Sequence, residues 1–193
     1  NSVSESSNYY QIDKTYVIFQ SEKGLMIIDQ QRAHQKVLYE TFIKNANENI
    51  KASSQKLLFP EKISLSKKDI SEISNIKNEL NNIGFEIKIK EDYIEIHATP
   101  KQCENDNFQN LFHEILQEQE FEDSNLKEKF ISKTYKSLSN SLSIKSGKKL
   151  TQEEMKSLVT ELLKCEIPSM SPYGLNTYFN IKIQDLNKKF NKC

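Results

Sequence analysis

The densest group of side chains able to do chemistry is Asp29-Gln30-Gln31-Arg32-Ala33-His34-Gln35, running on to Tyr39-Glu40. It follows the apolar run LMIID and lies where a buried strand meets a helix, a frequent place for function. Asp29 and Glu40 are the ionisable groups that flank this helix. As catalytic groups they would supply acid–base or metal-binding oxygens. As plain side chains, Asp29 caps the helix N-terminus and Glu40 faces solvent. His34 admits the same pair of readings, a ligand or a helix-surface histidine, and the surface role is the expectation.

Other chemistries lack their residues. With four glycines there is no Gly-x-Gly-x-x-Gly and no P-loop, so a Gly-rich nucleotide site is excluded. A Ser-His-Asp hydrolase has no Gly-x-Ser-x-Gly elbow to stand on. Cys103, Cys165 and Cys193 have no paired spacing, and His-x-x-x-His is absent. Reduced thiols in a cytoplasmic protein are expected, with no structural zinc. Arg32 is the only arginine, so a multi-arginine phosphate clamp cannot be built.

The elements that must position these groups follow from pattern. Tyr9 to Gln20 (YYQIDKTYVIFQ) reads as one strand, SEKG as a turn and Leu25 to Asp29 as a second, buried strand. Gln31 to Asn45 is a helix with Ala33, Val37, Leu38 and Phe42 on one face. Gln55 to Ser64 is extended, because Pro60 pushes Phe59 out of the helical region. Ser66 caps a helix that carries Ile70, Ile73, Ile76, Leu80 and Ile83 and stops at Gly84. Phe85 to Lys90 and Tyr93 to His97 form a hairpin. Phe108 to Leu116 and Asn125 to about Lys145 are helical. Thr151-Gln-Glu-Glu154 is a capping box that opens a helix with Met155, Leu158, Val159 and Leu162 on one face. Asn176 to Ile183 is a closing strand and Gln184 to Phe190 a short helix. The sum is an α+β fold.

The 193 residues carry 27 basic and 27 acidic side chains, so the net charge is zero. That balance argues against a general polyanion binder. The lysines at 145, 148 and 149, with 133 and 136, make a modest basic concentration, read as a solvated face. No apolar run reaches membrane-spanning length, and the opening NSVSESSNYYQ is no signal peptide.

Three separated segments carry a resemblance. Gly24 to Glu40 (GLMIIDQQRAHQKVLYE) is similar to the strand and DQHAxxExxxxE motif of the C-terminal dimerisation domain of MutL. Cys165 to Thr177 (CEIPSMSPYGLNT) resembles that family's closing segment CxxPxxCPHGRPT. Ile144-Lys145-Ser146-Gly147 falls where the family has AIKAG. Many members use these motifs as a metal-dependent endonuclease site. In this chain Asp29 and Glu40 match. The motif His is Gln31, the motif Glu is Gln35, the closing Cys and His are Ser171 and Tyr173, Arg-Pro is Leu175-Asn176, and a middle Cys aligns with Asn140. Glutamine and serine are neutral and poor ligands for a transition metal. The resemblance therefore implies a scaffold with no catalytic residue, no metal and no cofactor. The alternative is a residual metal-dependent DNA-nicking endonuclease on Asp29 and Glu40, which could hold at best a weakly bound Mg²⁺.

Gln55-Lys56-Leu57-Leu58-Phe59-Pro60 resembles the family's QxxLxP sliding-clamp motif. An extended segment of this kind presents the Gln55 amide to a polar pocket and Leu58 and Phe59 as apolar anchors, while Pro60 limits the entropy lost on ordering. The competing reading is an ordinary strand with Leu57 and Phe59 buried. By the same resemblance, residues 8–54 and 127–193 form a discontinuous dimerisation subdomain, a mixed sheet with helices. Residues 55–126 form an inserted α/β regulatory subdomain, and residues 1–7 a disordered linker remnant. The implied partners are a second copy, the sliding clamp and, through the full-length protein, MutS and DNA, with no membrane. The full-length protein is expected to carry an N-terminal ATPase, and this chain to be a fragment of it.

Overall fold

The structure, a computed structural model, describes residues 8–22, 24–48, 50–101, 103, 108–116 and 126–191. The expected linker at 1–7 lies outside them. The fold is α+β, and every strand pairing among the described residues is antiparallel, so the sheet expected to be mixed is not. The chain divides into two compact units, 1–38 with 143–193, and 39–142. The division falls at 38/39 and 142/143. Tyr39 and Phe42 are why: the Tyr39 hydroxyl meets Ser132 Oγ at 3.1 Å, and the Phe42 ring packs on Tyr135 at 6.0 Å, all inside the second unit.

In the first unit, strands β1 (Tyr9–Ile12), β2 (Tyr16–Ser21), β3 (Gly24–Asp29) and β7 (Tyr178–Lys182) lie in the order β1-β2-β3-β7. The single strand expected over Tyr9–Gln20 is thus a hairpin. Asp13 and Lys14 both adopt the left-handed region (φ 50° and 48°), and Thr15 N donates to Ile12 O at 3.0 Å. Asp13, Lys14 and Thr15 form a three-residue loop between paired Ile12 and Tyr16, and its two left-handed positions usually advertise themselves with Asn or Gly, which are absent here. One face of the sheet points Tyr9, Val17, Phe19, Met26 and Ile28 into the core. Against it pack Ala33 of helix α1 (Gln30–Asn47) and Met155, Leu158, Val159 and Leu162 of helix α6 (Gln152–Lys164). The α6 capping box forms as expected: Glu154 N donates to Thr151 Oγ1 and Thr151 N to Glu154 Oε2. Helix α7 (Ile183–Lys189) follows β7 and buries no residue.

The second unit holds β4 (Ser54–Ser64), β5 (Glu86–Ile89) and β6 (Tyr93–Pro100) in the order β4-β6-β5. Helices α2 (Lys67–Asn75), α3 (Lys77–Ile83), α4 (Phe108–Leu116) and α5 (Leu126–Leu142) belong to it as well. The one helix expected from Ser66 to Gly84 is two. Ile76, fully buried, sits between them at φ −112°, ψ 13°, and it keeps the apolar spacing running through the break. Gly84 ends α3 in the left-handed conformation, and Phe85 packs edge-on against Phe112 at 6.0 Å.

Candidate functional site

Asp29 ends β3 and opens α1. Its carboxylate accepts from Arg32 N at 3.0 Å and lies 3.4 Å from Arg32 Nε, so it caps the helix and pairs with its first-turn cation. Arg32 Nη1 donates in turn to Asn176 O at 3.2 Å, and Asp29 N to Thr177 O at 2.9 Å. These bonds tie the start of α1 to the closing segment. Glu40 is half-buried on α1 and belongs to the second unit.

Gln30 was not singled out from sequence, yet it is the most heavily bonded side chain at this junction. It is fully buried. Its Nε2 lies 2.7 Å from Lys14 O, 3.0 Å from Lys145 O and 3.1 Å from Lys148 O, and its Oε1 accepts from Gln11 Nε2 at 2.6 Å. Gln11 also donates to Lys148 O and accepts from Leu150 N. A third amide, Gln152, closes the β1 edge, accepting from Tyr9 N at 3.3 Å and donating to Tyr9 O at 2.7 Å. Three glutamines thus stand in for missing ladder bonds, which buried or edge backbone groups require.

The positions matching the endonuclease motif have other duties. Gln31 Oε1 lies 3.3 Å from Ser146 Oγ. Gln35 is buried. The buried Ser171 hydroxyl accepts from Tyr173 N at 3.3 Å and Leu175 N at 3.2 Å, shaping the turn that carries Gly174. The Thr177 hydroxyl donates to Pro168 O. His34 is not the surface histidine expected. It is largely covered, its Nδ1 accepts from Ile144 N at 2.9 Å, and burial, with Lys148 close by, pulls its pKa down to about 4. It is a neutral acceptor at physiological pH. Among the described residues no three His, Cys, Asp or Glu side chains converge as a metal-binding group.

The segment 55–60 lies in β4, where Lys56 pairs with Ala98 and Glu61 with Ile96. Residues 57–60 therefore loop out opposite the single residue His97. Pro60 has no N–H to give the ladder, which suits it to such a bulge. Leu58 is 95% exposed and Phe59 84%, so the ordinary strand with Phe59 buried is not what forms. Gln55 is exposed and pairs through its backbone with Thr99.

The central row of the outer face of the four-stranded sheet is apolar across all four strands, with Asp29 beside Tyr16 in one neighbouring row and Gln20 beside Leu25 in the other. In register, Tyr10, Ile18, Ile27 and Phe179 make one row; Ile12 and Tyr16 flank it on one side, Leu25 and Ile181 on the other. Tyr10 is 63% exposed and Phe179 54%. No helix among the described residues is long and apolar enough to cross a membrane.

Residues 9–150 match the family described as the MutL C terminal dimerisation domain. The DNA mismatch repair protein MutL of Flavobacterium psychrophilum is 34% identical over 184 residues, which cover 94% of this chain and 30% of that protein. Those of Flavobacterium johnsoniae and Chloroherpeton thalassium are 32% and 31% identical, over 96% and 95% of this chain. The chain spans about three tenths of the length of these relatives. With a match over most of its length, the chain belongs to the MutL C-terminal dimerisation domain family.

Proposed function

We propose that this chain is the self-pairing part of a cytoplasmic mismatch-repair protein. It acts as a non-catalytic scaffold that joins two copies and docks a sliding clamp. The apolar outer face of the four-stranded sheet carries this proposal. Exposed Tyr10, Ile12, Tyr16 and Phe179 beside half-buried Ile18 and Ile27 make a continuous patch. A patch of this kind on a sheet face favours association, and a stable obligate interface buries well over about 1,200 Å². Pairing raises the effective concentration of whatever domains the two full-length chains carry, including an N-terminal ATPase and the surfaces that meet MutS and DNA. Light scattering coupled to gel filtration at low micromolar concentration is expected to give twice the chain mass. A monomer mass would overturn the proposal.

The first unit would be the pairing subdomain and the second the regulatory one, with clamp docking through Gln55, Leu58, Phe59 and Pro60. The bulge supports this, since it holds two large apolar side chains in water where a partner pocket could take them. Clamp capture should be lost in a Gln55→Ala, Leu58→Ala variant; equal capture by both proteins would refute docking. For the absence of nuclease action, the support is chemical. Asp29 is engaged as a cap and ion-pair partner, and the positions beside it offer amides and hydroxyls. If the purified chain nicked supercoiled DNA with Mn²⁺ and Asp29→Ala abolished it, the endonuclease alternative on Asp29 and Glu40 would replace the scaffold.

A further inference from the structure

We propose that helix α7 is an arm that packs against a second copy of this chain, with Ile183, Leu186 and Phe190 as its contacting residues, a contact that rests on the proposed self-pairing and adds an element to it. Helix α7 has seven residues, and none of them is buried. Its N-cap, Lys182, makes no side-chain cap bond. Isolated helices shorter than about 12–15 residues are marginal in water, and helices of folded proteins draw most of their stability from packing an apolar face. Asp185 in the first turn and Lys188 and Lys189 in the last suit the helix dipole, but at the surface that effect is small and screened by salt. The apolar face exists: Ile183, Leu186 and Phe190 follow one another at i, i+3 and i+7 on one side. Ile183 is 50% exposed and Phe190 71%, and Leu186 is half-buried. The stripe that would fix this helix therefore faces water in the single chain.

Continuity and area identify the second copy as the occupant. Strand β7 runs into α7 with no linking residue between them. Phe179 and Ile181 lie on the outer sheet face, opposite Ile27 and Leu25, and Ile183 continues their alternation. The apolar surface proposed for pairing thus passes from the sheet into the helix. The outer face itself has ten residues, two from β1, three each from β2 and β3, and two from β7. A stable interface of standard size uses about 20–30 residues a side and buries about 800 Å² on each partner. The sheet face alone falls short of that, so flanking elements must supply the rest, and α7 is one that carries an uncovered apolar stripe. A two-fold interface presents the same patch on both copies, so each α7 gains its missing packing from the partner and returns it.

Sedimentation equilibrium over a dilution series tests the arm. Ile183→Ser with Phe190→Ser breaks the stripe at two exposed positions outside the core, so the single chain keeps its fold, which circular dichroism checks. The dissociation constant of the dimer should rise at least about tenfold, because two apolar side chains per copy no longer leave water on pairing. Ile50→Ser, at an apolar residue of similar exposure in the second unit, should change it by less than about twofold. A benzophenone side chain in place of Phe190 supplies a second readout. Irradiated in an equal mixture of heavy- and light-isotope chains after subunit exchange, it should give heavy–light cross-links. Unchanged dissociation of the folded double variant, or cross-links confined to one chain, overturns the inference. The two claims fail separately. A native chain that stays monomeric at every concentration sinks the pairing and the arm together, whereas a dimer indifferent to the double variant sinks the arm alone.

Discussion

At the scale of single residues, the buried amide of Gln30 decides how the first unit closes. Replacing it with leucine keeps the volume and removes the amide's bonds to the three carbonyls and to Gln11, although Lys14 O keeps Gly147 N, Lys145 O keeps Lys148 N, and Gln11 keeps Lys148 O and Leu150 N. A loss of about 1–2 kcal/mol in urea unfolding is expected, since a net hydrogen bond contributes about 0.5–1.5 kcal/mol and each carbonyl keeps a second donor. His34 gives the first unit a pH response. Its pKa falls from 6.5 in the unfolded chain to about 4 in the fold, so the unfolded state takes up the proton first. The contribution is complete above pH 6.5 and disappears as pH falls toward 4, and it amounts to roughly 2–3 kcal/mol. Urea midpoints at pH 7 and pH 4.5 should differ more for the native chain than for His34→Gln; identical differences would show that another group governs the acid limb. Asp29 was legible from sequence as a cap because capping is a local event, written in the residue and its next three neighbours. Gln30 and His34 were not, because their partners at 14, 144, 145 and 148 come from segments far along the chain. A glutamine or a neutral histidine carries no mark of which backbone group it will meet.

Elements repeat the same division between local and distant causes. Both capping boxes, at Ser66 and Thr151, were legible and form, and so was the turn between β5 and β6. The β1–β2 turn escaped notice because Asp-Lys is a poor advertisement for two left-handed residues. Lys14→Gly should relax it and stabilise the chain by about 0.5–1 kcal/mol, the balance of relieved left-handed strain over lost chain stiffness. A higher urea midpoint checks this, and a lower one would show that the lysine side chain contributes packing. The α2–α3 break was hidden because Ile70, Ile73, Ile76, Leu80 and Ile83 fit one continuous helix as well as two short ones. Gly24 works through a close approach. A Cβ there would stand 2.1 Å from Ile181 O, backbone of the neighbouring strand, at φ +132°. Gly24→Ala is therefore expected to cost roughly 2–3 kcal/mol and to loosen β7 first. Faster amide exchange at Phe179 and Ile181 than at Val17 and Phe19 would report it.

For the whole molecule, the proposed pairing through the outer sheet face would tie stability to concentration. Most of its residues are apolar and alternate with the core residues of β1, β2 and β3, with Gln20 and Asp29 the polar members of the outer face. In sequence such strands read simply as buried, and nothing says whether the second face meets a helix of the same chain or another copy. That is why the face proposed for pairing could not be named before the register was known. If two copies bury this face, only the folded chain binds its twin, and the apparent stability must rise with protein concentration. A tenfold increase contributes about 1.4 kcal/mol, which for a domain of this size moves the melting midpoint by about 2–4 °C. Tyr10→Glu with Phe179→Glu places two like charges in one row of the proposed interface, at positions more than half exposed in the single chain. The isolated fold loses little by the change, because neither side chain belongs to the core. The double variant should therefore keep its secondary structure, run at the monomer mass and melt at the same temperature across that tenfold range. A variant that still melts in a concentration-dependent way would place the pairing surface elsewhere on the chain.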